Sequence, residues 1–401
     1  MMSGKIVLAY SGGLDTSVAI RWLIENYRCG VITVTVDVGQ GEDLKLIQEF
    51  AERIGAEKHY SIDAREEFVK DYVYPAIRAN AMYQGKYPIS TALSRPLIAS
   101  KLVEIAKREG ADAVAHGCTG KGNDQVRFDV TISALAPDLK IIAPIREWGL
   151  SREEEIKYAQ EHGIPIPDKR QSQYSIDKNL YGRSIECGVL EDPSVEPPEE
   201  VFEWTVAPEK SPDKPEYLTI GFDAGTPISI NGSKMDPVTM IMSLNNIVGR
   251  NGIGRIDHIE DRIVGIKSRE VYECPASIVL IEAHKDLEKC VLTRHELAFK
   301  HLVDNEWAVA VYSGLWMDPL LEDLNAFINK SQERVEGEVK LKLYKGACQI
   351  VGRKSPKSLY NQKLATYGVD TIFNQTKAAG FTELWGLQTK IANIARRRLE
   401  R

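Results

Sequence analysis

Residues 1–165 alternate between two patterns of apolar positions. Short runs of apolar and β-branched residues are typical of buried strands, and longer segments with apolar residues three or four positions apart are typical of helices. The strand-like runs are KIVLAY (5–10), VITVTVDVG (31–39), HYSID (59–63), DAVAHG (112–117) and KIIAPI (140–145). The helix-like segments are 15–27, 43–55, 65–83, 95–109 and 151–163. This alternation predicts an α/β fold with an open parallel sheet and helices on both faces.

The pattern changes after residue 165. The segment IPIPDKRQSQYSID (164–177) is polar and irregular, and two proline-rich charged stretches follow at 194–200 and 208–216. Strand-like runs then mix with helices, which predicts an α+β domain over residues 166–360. These runs are YLTIGFDA, PISING, IVGIKS, ASIVLIEA, VKLKLY and ACQIVGR. Residues 361–401 are helical in pattern and end in charge, so we expect three parts: 1–165, 166–360 and 361–401.

The composition is that of an ordinary globular protein, with 43% hydrophobic residues, 27% charged residues and a formal net charge of −6. Nucleic-acid partners usually require a basic face, so the acidic balance argues against one. The longest apolar runs, such as ASIVLIEA at 276–283, are far shorter than the roughly 20 residues that cross a bilayer, so we expect no membrane span. The short apolar run behind Lys5 does not match a signal peptide.

Six cysteines are spread along the chain. None of them forms a C-x-x-C pair, and none has a histidine at the spacing of a metal site. Reduced thiols in a cytoplasmic protein are the simplest interpretation, and these residues predict no metal centre.

The stretch AYSGGLDTS (9–17) joins the first strand to the first helix. Gly12 and Gly13 allow a tight turn and let a ligand approach the backbone without a clash with a Cβ atom. The free N–H groups at the start of the helix, together with the hydroxyl groups of this stretch, favour an anion. We therefore predict a phosphate site, although the lysine of G-x-x-x-x-G-K-[ST] and the spacing of G-x-G-x-x-G are both missing.

Asp15 is the unusual residue of this loop. A carboxylate beside phosphates is repulsive, so Asp15 must cap the helix, hold Mg²⁺ or accept from a hydrogen-bond donor. An ATP site with Mg²⁺ tolerates it best. The sequence leaves the choice between a helix cap and a metal contact open.

A second glycine-rich stretch, AHGCTGKGNDQVRFD (115–129), follows another predicted strand. Asn123 and Arg127 are four residues apart at the start of the next predicted helix, so they share one helical face with Asp124 close by. A surface ion pair is the simpler interpretation of an Asp and an Arg at this spacing. We favour a substrate site, because glycines, a strand end and a helix start coincide at the sheet edge that binds ligands.

The first loop resembles the pyrophosphate-loop signature of the N-type ATP pyrophosphatases. Together with GCTGKGNDQVRF, the chain closely resembles the argininosuccinate synthase family, in order, from residue 5 to at least 360. The further matching stretches are GKYPISTALSRP (85–96), SIECGVLEDP (184–193), KSREVYE (267–273), LKLYKG and VGRKSPKSLY.

The resemblance implies a ligase of arginine biosynthesis that forms a C–N bond. Such an enzyme condenses citrulline with aspartate through a citrullyl-adenylate, consuming ATP and releasing AMP and pyrophosphate. It also implies Mg²⁺ as a cofactor, and a homotetramer in which the C-terminal helix, about 361–400, wraps a neighbouring subunit.

The resemblance also implies the site residues. The expected ATP-binding residues are Ala9, Tyr10, Ser11, Gly12, Gly13, Leu14, Asp15, Thr16, Ser17, Val36 and Gly117. Those expected to bind aspartate are Thr119, Asn123 and Asp124. Those expected to bind citrulline are Tyr87, Thr91, Asn123, Arg127, Ser175, Ser184, Glu260 and Tyr272. Thr91 enters because Ala92 stands where many members have a serine. Asp15, Asp124 and Arg127 are the expected catalytic residues.

The residue types suit these substrates. Arg127 offers a planar fork of donors to a carboxylate, and Glu260 can accept from an ammonium group. Asp124 can accept from the amino group of aspartate. The proton lost from that amine goes to a residue such as Asp124, to a phosphate oxygen or to water, and the sequence does not distinguish among them.

Several alternatives stay open from the sequence. A tRNA thiolase usually needs a reactive cysteine pair and a basic surface, and a glutamine-dependent synthetase needs an amidotransferase domain; neither feature is evident. A nucleotide-binding sensor without turnover is the alternative from another class. Taken singly, Ser175 and Ser184 could be caps, Tyr87 and Tyr272 could be packing residues, and Glu260 could lie on a solvated face.

Overall fold

A parallel sheet of five strands organises the first part of the chain, as predicted. The computed structural model describes residues 4–164 and 174–399. The strands are β1 (Lys5–Ala9), β2 (Gly30–Asp37), β3 (Lys58–Asp63), β4 (Ala113–Ala115) and β5 (Lys140–Ile142). They pair in the order β3-β2-β1-β4-β5, and every pairing is parallel. The order reverses between β1 and β4, so a crevice for ligands lies at the carboxyl ends of these two strands.

Helices cover both faces of this sheet. Ile6 and Leu8 pack into one hydrophobic core, and Val7 between them packs into another, because successive side chains of a strand point to opposite faces. The helices are α1 (Leu14–Tyr27), α2 (Leu44–Ile54), α3 (Arg65–Glu67), α4 (Tyr74–Arg78), α5 (Ser90–Glu109), α6 (Asp124–Leu135), α7 (Pro144–Trp148) and α8 (Arg152–Glu161), with a π-helical turn at Phe68–Val73. A capping box of Ser151 and Glu154 begins α8.

Two predicted helix boundaries were wrong. The helix expected over 65–83 ends at Arg78, and the chain then forms an isolated β-bridge between Tyr83 and Tyr87. The helix expected over 95–109 begins at Ser90.

The earlier start of α5 places Pro96 inside the helix. Proline lacks the N–H group that the interior of a helix requires, so it usually stands near a helix start. Leu93 and Leu97 beside it are fully buried, and this tertiary packing outweighs the missing hydrogen bond.

The second part is α+β, as predicted. Its strands are β6 (Ser175–Asn179), β7 (Gly182–Glu186), β8 (Glu216–Asp223), β9 (Thr226–Ile230), β10 (Ser233–Lys234), β11 (Arg255–Asp261), β12 (Lys267–Glu273), β13 (Gly337–Tyr344) and β14 (Ala347–Lys354). They form one sheet of order β11-β12-β7-β6 and another of order β10-β9-β8-β13-β14. The helices are α9 (Pro237–Gly249), α10 (Pro275–Val291), α11 (Arg294–Tyr312) and α12 (Pro319–Gln332). Short 3₁₀ turns lie at Gly188–Glu191, Glu199–Val201 and Pro208–Lys210.

Three predictions for this part need correction. ASIVLIEA was expected as a strand but lies in α10, which begins at Pro275 with the ring at a position where helices accept proline. IVGIKS lies mostly in the turn between β11 and β12, where Gly265 has a φ of +84°. Of the segment expected to be irregular at 164–177, residues 165–173 lie outside the described residues, and Ser175 begins a strand.

The chain divides into two compact units, Met1–Lys357 and Ser358–Arg401. The second unit contains α13 (Gln362–Ala365), α14 (Thr376–Trp385) and α15 (Leu387–Leu399) instead of the single helix expected over 361–400. Gly386 separates α14 from α15. In the described part of this unit, none of the three helices has a buried residue.

No helix within 4–164 or 174–399 combines the length and the apolar character that crossing a membrane requires.

The register of the four-stranded sheet determines which side chains share a face. Tyr272 of β12 lies opposite Ser184 of β7, which lies opposite Asp177 of β6. Directly opposite residues point to the same face, and so do residues two positions apart along one strand. Ile256 of β11 lies opposite Tyr272, and Glu260 is four residues further along β11. An even separation along a strand keeps side chains on one face, so Glu260 shares the face of Tyr272.

The opposite face of this sheet holds a buried ion pair. Glu273 is fully buried and accepts from Arg183 Nη1 at 2.8 Å. It also accepts from the backbone N–H groups of Glu203, Trp204 and Thr205 at 2.9–3.0 Å, and from the Thr205 hydroxyl at 2.7 Å. A buried charge with this many donors holds the segment after the 3₁₀ turn at Glu199–Val201 against the sheet.

We expect Glu273→Gln to lower the free energy of unfolding by about 3–5 kcal/mol, because the change leaves Arg183 buried without its counter-charge and turns an N–H group toward other N–H donors. The thermal unfolding midpoint measures this. Glu199→Gln is the control, since Glu199 pairs with Arg255 but its side chain is 49% exposed; an exposed pair is worth about 1 kcal/mol or less. Equal midpoints for the two variants would contradict the assignment.

Candidate active site

The first glycine loop has the geometry of an anion site. Gly12 has a φ of +73°, and Gly13 precedes the first residue of α1 without a side-chain cap. The hydroxyl groups of Ser11 and Thr16 lie 3.2 Å apart, and the Ser11 hydroxyl accepts from Gly13 N at 3.3 Å. The first N–H groups of a helix have no partner within the helix, so the start of α1 presents donors beside these hydroxyls.

Asp15 does not cap α1, so that alternative was wrong. Its carboxylate forms an ion pair with Arg152 Nη1, and Arg152 also lies 3.2 Å from Glu155 Oε2. Asp15 is the second residue of the helix, and its side chain turns outward to α8 because a neighbouring guanidinium is available there. Burial, together with the Asp15 charge, raises the pKa of Glu155 to about 7.

The other residues predicted for ATP frame this loop. Ala9 ends β1, and the Tyr10 hydroxyl lies 3.1 Å from Ser17 Oγ. Leu14 and Val36 are buried, so only their backbones can meet a ligand. A Cβ atom on Gly117 would lie 2.9 Å from Thr16 Cγ2, so the two glycine loops touch, and at this point only glycine fits without a shift.

Asp124, at the start of α6, lies between two arginines. Its Oδ2 accepts from Arg95 Nε at 2.9 Å and Nη2 at 2.7 Å, and its Oδ1 accepts from Arg127 Nη1 at 2.9 Å. Burial alone would raise the pKa of Asp124, but the two guanidinium charges outweigh burial and hold it below its ordinary value. Arg95 also pairs with Asp177 of β6, and so links the two parts of the first unit.

Arg127 is 3% exposed and has one side of its guanidinium without a partner. Nε donates to the Tyr312 carbonyl at 3.0 Å and Nη1 donates to Asp124, whereas Nη2 is buried and has no hydrogen-bond partner among the described residues. Buried donors are almost always paired in proteins, so this atom indicates a missing acceptor. A carboxylate suits it best, because guanidinium groups bind carboxylates strongly.

Glu260 is a buried carboxylate that contacts the same tyrosine, Tyr312, as Arg127 does. It is 3% exposed, and its carboxylate accepts from Tyr272 OH at 2.6 Å and Tyr312 OH at 2.5 Å. Burial raises its pKa, and the two tyrosine donors oppose that effect. Asn123 connects the two sides, because its Nδ2 donates to Tyr312 OH at 2.8 Å.

The remaining predicted citrulline residues surround this cluster to different degrees. The Tyr87 ring stacks on Tyr272 with centroids 4.0 Å apart, and the Tyr87 hydroxyl accepts from the Thr91 backbone N–H at 2.8 Å. Ser184 donates to the Asp177 carbonyl at 3.4 Å. Ser175 is exposed at the start of β6, and we find no hydrogen bond from its hydroxyl to this cluster among the described residues.

Thr119 is the predicted aspartate residue with the least support. It lies on the second glycine loop, and its hydroxyl is 3.7 Å from where a Cβ atom of Gly122 would stand. The tip of the β11–β12 hairpin reaches the same loop, since Ile263 N donates to Asn123 Oδ1 at 2.8 Å. The loop is therefore in contact with both parts of the first unit.

The sequence analysis did not predict four residues that contact this site: Arg95, Arg152, Asp177 and Tyr312. Arg95 had a signal, since it lies four residues after Thr91 in the stretch GKYPISTALSRP and so shares its helical face. Tyr312 had none, because it lies 185 residues from Arg127 in an ordinary helical segment.

Two protein-family models match most of the chain. Residues 5–165 match the protein family described as the arginosuccinate synthase N-terminal HUP domain, and residues 174–392 match the arginosuccinate synthase C-terminal domain.

Full-length relatives carry the same name. The chain is 58% identical to the argininosuccinate synthase of Pyrococcus furiosus over 388 residues, which covers 97% of this chain and 94% of that protein. It is 58% identical to that of Dictyoglomus turgidum over 384 residues, with 96% of each chain covered. It is 55% identical to one of Dehalococcoides mccartyi over 390 residues, covering 97% and 96%. The chain therefore belongs to the argininosuccinate synthase family.

Proposed function

We propose that this chain condenses citrulline with aspartate in an ATP-dependent reaction of arginine biosynthesis, giving argininosuccinate, AMP and pyrophosphate. The observation that carries the proposal is a pair of buried opposite charges that both contact Tyr312: Arg127, with its unpartnered Nη2, and the Glu260 carboxylate. Citrulline has a carboxylate and an ammonium group on one carbon, and this pair of opposite charges matches them.

Citrulline is thus bound by Arg127 through its carboxylate and by Glu260 through its ammonium group. The Asn123 amide forms hydrogen bonds with Tyr312 and with the tip of the β11–β12 hairpin, and so lies between the Arg127 and Glu260 charges. Tyr87, Tyr272 and Ser184 line the same sheet face, and Thr91 and Ser175 are the outer members of the proposed set.

ATP is bound by the first loop, Ala9–Ser17, with the backbone of Val36 and with Gly117 where the two loops touch. The ureido oxygen of citrulline attacks the α-phosphorus of ATP, and pyrophosphate leaves against the hydroxyls of Ser11 and Thr16 and the N–H groups of α1. The chain supplies position and charge and makes no covalent bond itself.

Mg²⁺ is expected to accompany ATP, and the donor set fits it. Mg²⁺ prefers carboxylate oxygens combined with phosphate and water. Asp15 is the carboxylate of this loop, and its present partner, Arg152, has a side chain that is 62% exposed. Bound Mg²⁺ would neutralise part of the phosphate charge.

Aspartate is bound by Thr119, Asn123 and Asp124, and its amine attacks the carbon of the citrullyl-adenylate, with departure of AMP. The lowered pKa of Asp124 makes this carboxylate a weak base. Asp124 therefore orients the amine, and a phosphate oxygen or water is favoured as the acceptor of its proton.

We further propose a nucleotide-binding domain over 1–165, a substrate domain over 166–360 and a homotetramer located in the cytoplasm. The C-terminal segment supports the oligomer, because its apolar side chains are exposed. Leu384 is 74% exposed and Trp385 is 72% exposed, which is unusual for side chains of this size.

Turnover tests the function directly. We expect pyrophosphate and argininosuccinate to form only when ATP, Mg²⁺, citrulline and aspartate are all present. Pyrophosphate release is read by a coupled colorimetric assay and argininosuccinate by mass spectrometry. Release from ATP alone, or no product with all substrates, would overturn the proposal.

Arg127→Lys tests the carboxylate contact. Lysine keeps the charge beside Asp124 but removes the buried Nη2 donor, so we expect the KM for citrulline to rise by roughly 10–100-fold, with the KM for ATP little changed. Arg255→Lys is the control, because Arg255 makes a comparable ion pair with Glu199 on the far face of the sheet. An unchanged citrulline KM in Arg127→Lys would refute the role of Arg127.

Light scattering tests the oligomer. We expect the full chain to have the mass of four copies, and Leu384→Glu with Trp385→Glu to shift it to smaller species, since exposed apolar residues at an interface cannot tolerate two buried charges. Gln388→Glu, an exposed polar position on α15, is the control. A mass unaffected by the double substitution would place the interface elsewhere.

A further inference from the structure

One residue outside the proposed binding set contacts three of its members. Tyr312, the last residue of α11, is 1% exposed. Its hydroxyl accepts from Asn123 Nδ2 at 2.8 Å and donates to Glu260 Oε1 at 2.5 Å. Its carbonyl accepts from Arg127 Nε at 3.0 Å, and its ring centroid lies 4.9 Å from that guanidinium. Tyr312 therefore contacts both of the charged residues that are proposed to bind citrulline, Glu260 and Arg127.

The end of α11 is shaped for this contact. Gly314 has a φ of +80°, and a Cβ atom there would lie 3.0 Å from Arg127 Cα, so only glycine allows the chain to leave the helix this close to α6. The last carbonyls of a helix have no partner within it and carry partial negative charge. The Tyr312 carbonyl is one of these, and it accepts a hydrogen bond from the positively charged Arg127 side chain.

The Tyr312 ring packs against a second tyrosine, Tyr83. Tyr83 stacks on it with centroids 3.5 Å apart and an interplanar angle of 4°. The Tyr83 hydroxyl donates to the Asp261 carbonyl at 2.8 Å, one residue after Glu260. The ring therefore has little freedom, and its hydroxyl is fixed between Asn123 and Glu260.

We propose that Tyr312 is a positioning residue for citrulline, an inference that rests on the proposed function. Its hydroxyl holds the Glu260 carboxylate and the Asn123 amide in place for the substrate ammonium group, while its carbonyl and ring fix Arg127. Without the hydroxyl, Glu260 keeps only the Tyr272 donor and can turn away from the ammonium group, and the Asn123 amide loses one of its two partners.

Tyr312→Phe in the full chain tests the inference, because it removes the hydroxyl and retains the ring, its stacking and the backbone carbonyl. We expect the KM for citrulline to rise about 10-fold or more, as for the loss of a hydrogen bond to a charged group. We expect kcat and the KM for ATP to change by less than about threefold, and the thermal midpoint to stay within a few degrees.

Tyr72→Phe is the matched control. It removes a hydroxyl from another buried tyrosine, which stacks on Trp316 with centroids 4.5 Å apart and lies outside the proposed binding set, so we expect a citrulline KM within about twofold of the wild type. A double-mutant cycle with Glu260→Gln gives the second readout. If Tyr312 acts through Glu260, Tyr312→Phe adds little to the citrulline KM of Glu260→Gln.

Several results would overturn the inference. These are an unchanged citrulline KM in Tyr312→Phe, independent effects in the cycle, or a lower thermal midpoint with equal losses for all three substrates, which would mark a purely structural role. If the wild-type chain makes argininosuccinate and Tyr312→Phe behaves like it, only this inference fails. If the wild-type chain makes none, the proposed function fails and this inference with it.

Discussion

The guanidinium group of Arg127 is the charge on which the candidate site depends. Removing a charged group from water costs several kcal/mol unless partners replace the lost hydration. Arg127 is 3% exposed, and its partners are Asp124 one helical turn before it and the Tyr312 carbonyl at the end of a helix in the other part of the first unit. The cation is satisfied only when these parts are packed together, and even then one donor is left for a ligand.

Further ion pairs connect Arg127 to the second sheet. Arg95 and Arg127 both favour the charged form of the half-buried Asp124, and Arg95 in turn pairs with Asp177. Asp177 stands on the face of the antiparallel sheet that carries Ser184 and Tyr272. A chain of alternating charges therefore runs from the edge of the parallel sheet to the second sheet. Each charge favours the charged form of the next, so the candidate site and the packing of the two parts stabilise each other.

The first loop obeys a more local constraint. Its hydroxyls, its glycine backbone and the start of α1 are contiguous in sequence, so a strand, a turn and a helix are enough to assemble the anion site. The contact of Gly117 with Thr16 then aligns this site with the second loop. In the proposed reaction, this contact would bring the nucleotide at the first loop close to the citrulline at Arg127, which adenylation requires.

This difference between local and long-range constraints explains which predictions succeeded. The parallel sheet, the glycine turn between β1 and α1 and the start of α6 were predicted correctly, because each depends on residues close in sequence. ASIVLIEA was misread as a strand, since an apolar run of that length has no period that separates a buried strand from a buried helix. Helix capping was one of the alternatives left open for Asp15, but the N-cap position is Gly13 and the Asp15 carboxylate pairs with Arg152, 137 residues away.

The sequence by itself determined the α/β and α+β halves, the glycine turn between β1 and α1 and the shared helical face of Asn123 and Arg127, because strand and helix periods and helical spacing are properties of neighbouring residues. Only the tertiary structure decided that Arg95 shares Asp124, that Glu260 faces Arg127, and that Tyr312 joins them. These contacts depend on how helices and sheets pack, and the residues concerned lie from 29 to 189 positions apart. Burial then decides their chemistry, because a charge inside the protein must find its partners wherever the fold places them.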